Sequence, residues 1–136
     1  METFKGFREL TRALPHPIVT IGNFDGVHLG HQAIIGEAVN EARAAQGTSV
    51  VYTFRPHPQI ALSPATAPYL LSSYEERSRL IAARGVDVLV EEPFSREFSE
   101  VTPEVFFSDI LLRRVGAEAI VVGYDFAFCK SRGGHL

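Results

Sequence analysis

The apolar run Pro17–Ile21 turns through Gly22-Asn23-Phe24-Asp25-Gly26 into a pattern with helical spacing that begins at Leu29. A strand that passes into a helix through glycines and small polar residues is the repeating unit of an open α/β sheet. Such sheets bind ligands in the crevice beyond the strand's carboxyl end, facing the next helix's N–H groups. Gly22, Gly26 and Gly30 permit turns and close backbone approach that a Cβ would block. His28 and His31 flank Gly30, three residues apart, so both can face the crevice and offer N–H donors to anionic oxygens without a permanent charge. This arrangement points to a nucleotide phosphate.

The rest of the chain repeats the alternation. Ile18–Ile21 reads as a strand and Leu29–Ala45 as a helix with Ile34, Ile35, Ala38, Val39 and Ala42 on its apolar face, stopped by Gly47. Ser49–Phe54 is β-branched and aromatic, as a strand should be. Pro56, Pro58, Pro64 and Pro68 punctuate the loop that follows. Ser73 with Glu76 predicts a capped helix through Arg84, ended by Gly85, and Val86–Glu91 is a third strand. Thr102 and Pro103 open another helix to about Val115, and Ala119–Val122 reads as a fourth strand buried on both faces. Strands alternating with helices imply right-handed crossovers, hence a Rossmann-like open parallel sheet with flanking helices.

Composition narrows the partners. A chain of 136 residues forms one domain, and 46% hydrophobic with 21% charged residues suits an ordinary globular core. The net charge of −3 gives no basis for nucleic-acid binding, so an anionic ligand must be attracted locally. No apolar run reaches membrane-spanning length, and the N-terminus lacks the apolar core of a signal peptide, which makes a cytoplasmic setting the expectation. Cys129 is the only cysteine, which excludes an internal disulfide and a Cys-rich zinc site.

Two further segments leave strands at the same rim as the histidine loop: Thr53-Phe-Arg-Pro-His-Pro58 and Val122-Gly-Tyr-Asp-Phe-Ala-Phe128. Each has a plainer alternative. The first can be a stiff strand exit with His57 in solvent, and the second a core end in which Phe126 and Phe128 pack by alternation while Asp125 caps a turn. Gly22–Gly26 can be only a tight turn, and Asp25, His28 and His31 have a spacing that could converge on zinc. Taken jointly, three histidines, a carboxylate and several aromatics on one rim suit a flat ring system carrying a phosphate.

Gly22-Asn-Phe-Asp-Gly-Val-His-Leu-Gly-His-Gln32 resembles the His-x-Gly-His signature of the nucleotidylyltransferase superfamily. With the two rim segments in their order, the chain is similar to the N-terminal FMN adenylyltransferase module of the bacterial bifunctional riboflavin kinase/FAD synthetase family. The resemblance implies a nucleotidylyltransferase-type fold and the reaction FMN plus ATP to FAD plus pyrophosphate, with Mg²⁺. It implies that His28 and His31 contact the ATP phosphates, while Gly22, Asn23, Phe24, Asp25, Gly26 and Gly30 shape the ATP loop. Phe54, Pro56, His57, Pro58, Asp125, Phe126 and Phe128 would border the flavin. No resident metal ligand is implied.

The resemblance also has edges. Ala127 and Cys129 depart from the family's Phe-x-Phe-Gly pattern, although Lys130, Arg132, Gly133 and Gly134 keep some of its basic, glycine-containing loop. Nothing matches the family's later Ile-Ser-Ser-Thr-x-Ile-Arg segment or its riboflavin kinase domain. Residues 1–136 are therefore expected to be a C-terminally shortened adenylyltransferase domain that either self-associates or lacks a further portion. A noncatalytic flavin- or nucleotide-binding remnant, or a transferase for another phosphate acceptor, is the alternative.

Overall fold

A computed structural model describes residues 1–56 and 73–123. Five strands form one parallel sheet in the order β1-β4-β3-β2-β5. They are β1 (Glu2–Phe4), β2 (Pro17–Ile21), β3 (Thr48–Arg55), β4 (Val88–Pro93) and β5 (Ala119–Val121). The helices are α1 (Leu29–Ala44), α2 (Tyr74–Ala82), α3 (Arg96–Ser99) and α4 (Pro103–Val105), the last continuing as a π-helical segment over Phe106–Val115. The α/β class and parallel sheet agree with the sequence pattern.

Burial on both faces explains the continuous apolar strands. On one face Val19, Ile21, Val50, Tyr52, Phe54, Val88 and Val90 pack against Leu10, Leu14 and the π-helical residues Phe106, Ile110 and Leu111. On the other, Val51 and Leu89 meet Ile35 and Val39 of α1 and Ile81 of α2, while Ile18 packs on Ala38 and Ala42. The period-2 alternation of strand residues thus sorts the side chains into two cores.

Helix boundaries follow their caps. The Ser73 hydroxyl accepts from the Glu76 N–H and the Thr102 hydroxyl from the Val105 N–H, each at the expected helix start. α1 ends differently from expectation. The left-handed residue there is Gln46, at φ 54°, and Gly47 is demanded by space, since a Cβ would lie 2.2 Å from the His16 carbonyl oxygen.

Three strand readings need correction. β1 was absent from the sequence reading and pairs in parallel with β4, Thr3 opposite Leu89. β4 runs two residues later than the expected Val86–Glu91, because Asp87 is held in the entry turn, where its carboxylate accepts from the Ser49 N–H and hydroxyl. β5 is an edge strand among the described residues and only half-buried, not covered on both faces.

Phe106 has no exposed surface and meets Tyr52 edge-on at 5.3 Å between ring centroids, with Phe54 and Phe98 also in contact. Replacing it by alanine should remove about 3–5 kcal/mol of stability. Urea unfolding checks this; a loss below about 1 kcal/mol would mean the aromatic cluster collapses freely around the cavity.

Candidate functional site

The parallel arrangement brings the exits of β3, β2 and β5 to one rim, with β2 in the middle. The β2 exit is held at once: the Gly22 N–H continues the ladder to the Tyr52 carbonyl at 3.2 Å. The loop beyond is tightly wound. Phe24 (φ 54°, ψ 30°), Gly26 (φ 75°) and Val27 (φ 42°) all take the left-handed side of backbone space, which is costly for a phenylalanine and a β-branched valine. Phe24 and Val27 are buried in the α1–α2 core, and the Phe24 ring stands edge-on to His31 at 5.2 Å. Asp25 and Gly26 form the short 3₁₀ turn Asp25–Val27 that delivers the chain to α1. The side-chain oxygen of Asn23 is buried and has no donor among the described residues.

His28 caps α1. Its Nδ1 accepts from the Gly30 N–H at 3.1 Å and the His31 N–H at 3.4 Å. Two of the helix N–H groups expected to be open are therefore taken by this imidazole. The exchange fixes its tautomer: with Nδ1 accepting, the neutral ring carries its proton on Nε2, turned away from the helix. A Cβ at position 30 would lie 3.1 Å from the His28 ring, so glycine there lets the ring lie over the helix end. His31 stacks on His28 with centroids 3.5 Å apart and planes at 22°. His28 is exposed and His31 half-buried, so the pair opens outward at the positive end of the helix dipole.

Behind this loop lies a buried charge pair that the sequence reading missed. Arg77 of α2 is 3% exposed; it donates to the carbonyls of Asn23 at 3.0 Å and Phe54 at 3.1 Å, and to the Glu91 carboxylate at 3.0 Å. The Thr53 hydroxyl also donates to the Asn23 carbonyl, at 3.2 Å. The available signal was an arginine on the same helix face as Ile81, and a glutamate continuing an apolar strand.

On the opposite sheet face, a cavity of about 510 Å³ opens at the same rim. Pro56, Phe94 and Phe98 supply apolar wall, and Arg8, Arg55 and Arg114 share the lining with Glu92, Glu97 and Asp109. Pro56 borders this cavity, whereas Phe54 is 4% exposed and packs in the core against Phe94 and Phe98. His57, Pro58, Asp125, Phe126 and Phe128, with Cys129 and the basic loop after it, lie outside the described residues. Among the described residues no three His, Cys, Asp or Glu side chains gather as a metal site, the Asp25/His28/His31 set included. No helix among them is long and apolar enough to cross a membrane.

The family model for FAD synthetase matches residues 11–136. The chain belongs to the FAD synthetase family. It is 34% identical over 135 residues to an Escherichia coli K12 protein named bifunctional riboflavin kinase/FMN adenylyltransferase, covering 98% of this chain and 43% of that protein. A Listeria monocytogenes FAD synthetase is 37% identical over 116 residues, covering 85% of this chain and 46% of the relative. The chain thus spans less than half the length of these FAD synthetase relatives. The crystal structure of a Streptococcus pneumoniae protein named Macrolide-efflux Protein superposes with a TM-score of 0.76 at 30% identity, over 94% of this chain and 42% of that one. That likeness supports the nucleotidylyltransferase-type fold; the efflux in the name stays with that protein.

Glu92 generates a pH prediction. It accepts from the Tyr52 hydroxyl and, at 3.1 Å, from the Phe7 N–H, and its burial raises its pKa above the ordinary carboxylate range, although those bonds and the Arg8 charge pull the other way. Tyr52 is raised too, chiefly by burial and then by the Glu92 charge. A carboxyl raised on folding holds its proton more tightly in the native state. Its contribution is therefore fully present below the unfolded pKa and is lost as pH rises through the folded one. Glu92→Gln, neutral throughout, should gain stability relative to the native chain as pH rises above the ordinary carboxylate range. Urea midpoints from that range upward check this; a difference independent of pH contradicts it.

Proposed function

We propose that this chain is an FMN adenylyltransferase module, transferring AMP from ATP to FMN to give FAD and pyrophosphate. The observation that carries the proposal is the stacked His28/His31 pair capping α1 at the rim. In this reading a terminal phosphate oxygen of FMN attacks the α-phosphorus of ATP. The bond from that phosphorus to the bridging oxygen breaks, and its electrons leave with pyrophosphate. No covalent enzyme intermediate is needed; positioning and charge stabilisation supply the rate. The outward Nε2–H of His28 donates to a phosphate oxygen and holds it as negative charge builds on the leaving group. His31 sets the ring plane by stacking, and the loop Gly22–Gly30 encloses the nucleotide.

Mg²⁺ belongs to the substrate as MgATP, held mainly through phosphate oxygens, and histidine N–H donors fit the same oxygens from the protein side. The flavin ring is assigned to the cavity by Pro56, Phe94 and Phe98, whose apolar wall suits a flat heterocycle, with arginines nearby for its phosphate. A cytoplasmic setting fits this chemistry and the lone Cys129.

Incubating the chain with MgATP and FMN, and following FAD by chromatography and pyrophosphate by a coupled assay, tests the reading. FAD and pyrophosphate should appear in equal amounts, and His28→Ala should lower kcat by about 10²–10³-fold. Binding of both ligands without any FAD would instead support a noncatalytic binding module. Unchanged turnover in His28→Ala would remove the histidine from the mechanism.

A further inference from the structure

We propose that Arg77 is a positioning residue that locks the loop Gly22–His28 in its ligand-ready conformation, a role that rests on assigning this loop to the nucleotide. The loop needs such a lock. Phe24 and Val27 hold left-handed backbone angles that an isolated chain would abandon, and such strain persists only where surrounding contacts over-determine it. Buried packing fixes the Phe24 and Val27 side chains, and the Gln32 side-chain amide holds the Val27 carbonyl at 2.9 Å; the entry to the loop is anchored through the Asn23 carbonyl. That carbonyl accepts from Arg77 at 3.0 Å and from the Thr53 hydroxyl at 3.2 Å.

The same guanidinium nitrogen of Arg77 donates to the Phe54 carbonyl at 3.1 Å, one residue before the Arg55-Pro56 exit. One side chain therefore ties the exit of β2 to the exit of β3. Its charge is neutralised by Glu91 at 3.0 Å, and the Tyr74 ring lies 4.9 Å beneath it, so its orientation is set from β4 and α2 as well. The planar fork of arginine suits three acceptors in fixed directions; a lysine ammonium is a point charge on a flexible stem and lacks that pre-set geometry. Arg77 contacts no catalytic group itself. It acts through Asn23 on the backbone that carries Phe24 under His31 and presents His28 to α1.

Hydrogen exchange and MgATP titration of the full chain and of Arg77→Met and Arg77→Lys separate this role from general stabilisation. In Arg77→Met the amides of Val27, Gly30 and Gln32 should lose about tenfold or more protection beyond any loss at Val50 and Val90, and MgATP affinity should fall by about tenfold. Arg77→Lys should restore sheet stability but only part of the loop protection and affinity. If Arg77→Met does not fold, Arg77→Lys alone carries the comparison. Equal loss of protection across loop and sheet, or full loop protection and affinity in either variant, overturns the proposal. If the native chain fails to bind MgATP, the nucleotide reading fails separately, and the exchange data still decide whether Arg77 locks the loop.

Discussion

A parallel strand cannot return directly to its neighbour; it must leave the sheet at its carboxyl edge and cross back over one face. Everything chemical in this chain depends on that constraint. β2 lies between β3 and β5, so three strand exits meet at one rim, with the histidine loop in the centre. The two faces are then closed by different helices, α1 and α2 on one side and the π-helical segment on the other. The rim therefore separates a helix N-terminus with two stacked imidazoles from an aromatic cavity rimmed by arginines.

The sheet's end also carries charge into the interior. β4 finishes in Glu91-Glu92-Pro93, and successive strand residues point to opposite faces. Glu91 meets Arg77 on the α2 side; Glu92 meets Tyr52 and the Phe7 N–H on the other. These two carboxylates solve different problems. The first is neutralised by a buried cation, and removing either partner of such a pair typically costs about 3–5 kcal/mol. The second is satisfied by hydrogen-bond donors and holds its proton more tightly for being buried.

The sequence was most legible where local chemistry and tertiary structure agree. Strand–helix alternation and the Ser73 and Thr102 caps arise within a few residues and stand where expected, while the helix after Ser73 ends at Ala82, two residues before the expected Arg84. The loop after β2 was equally open to reading as a glycine-bearing turn into α1, because glycines at the end of an apolar run mark such a turn. What escaped depends on partners distant in the chain. β1 is too short and polar to read as a strand until β4 pairs with it. β4 seemed to end at Glu91 because nothing local announces a tyrosine, 40 residues away, waiting for Glu92. Phe54 was assigned to a ligand on the strength of its position before Arg55-Pro56, yet alternation along β3 turns it inward with Tyr52. His28 was read as an open donor, whereas helix capping takes one of its nitrogens and thereby defines the other.

The proposed function stands or falls on whether MgATP binds at the His28/His31 end of α1. Heteronuclear NMR of the labelled chain during MgATP titration tests it most directly. Saturable shifts are expected in the backbone amides of residues 22–31 and in both imidazoles, with His16 and Glu118 at the far end of the sheet unmoved. Saturable shifts confined to residues away from that loop, with His28 and His31 unchanged, would contradict it.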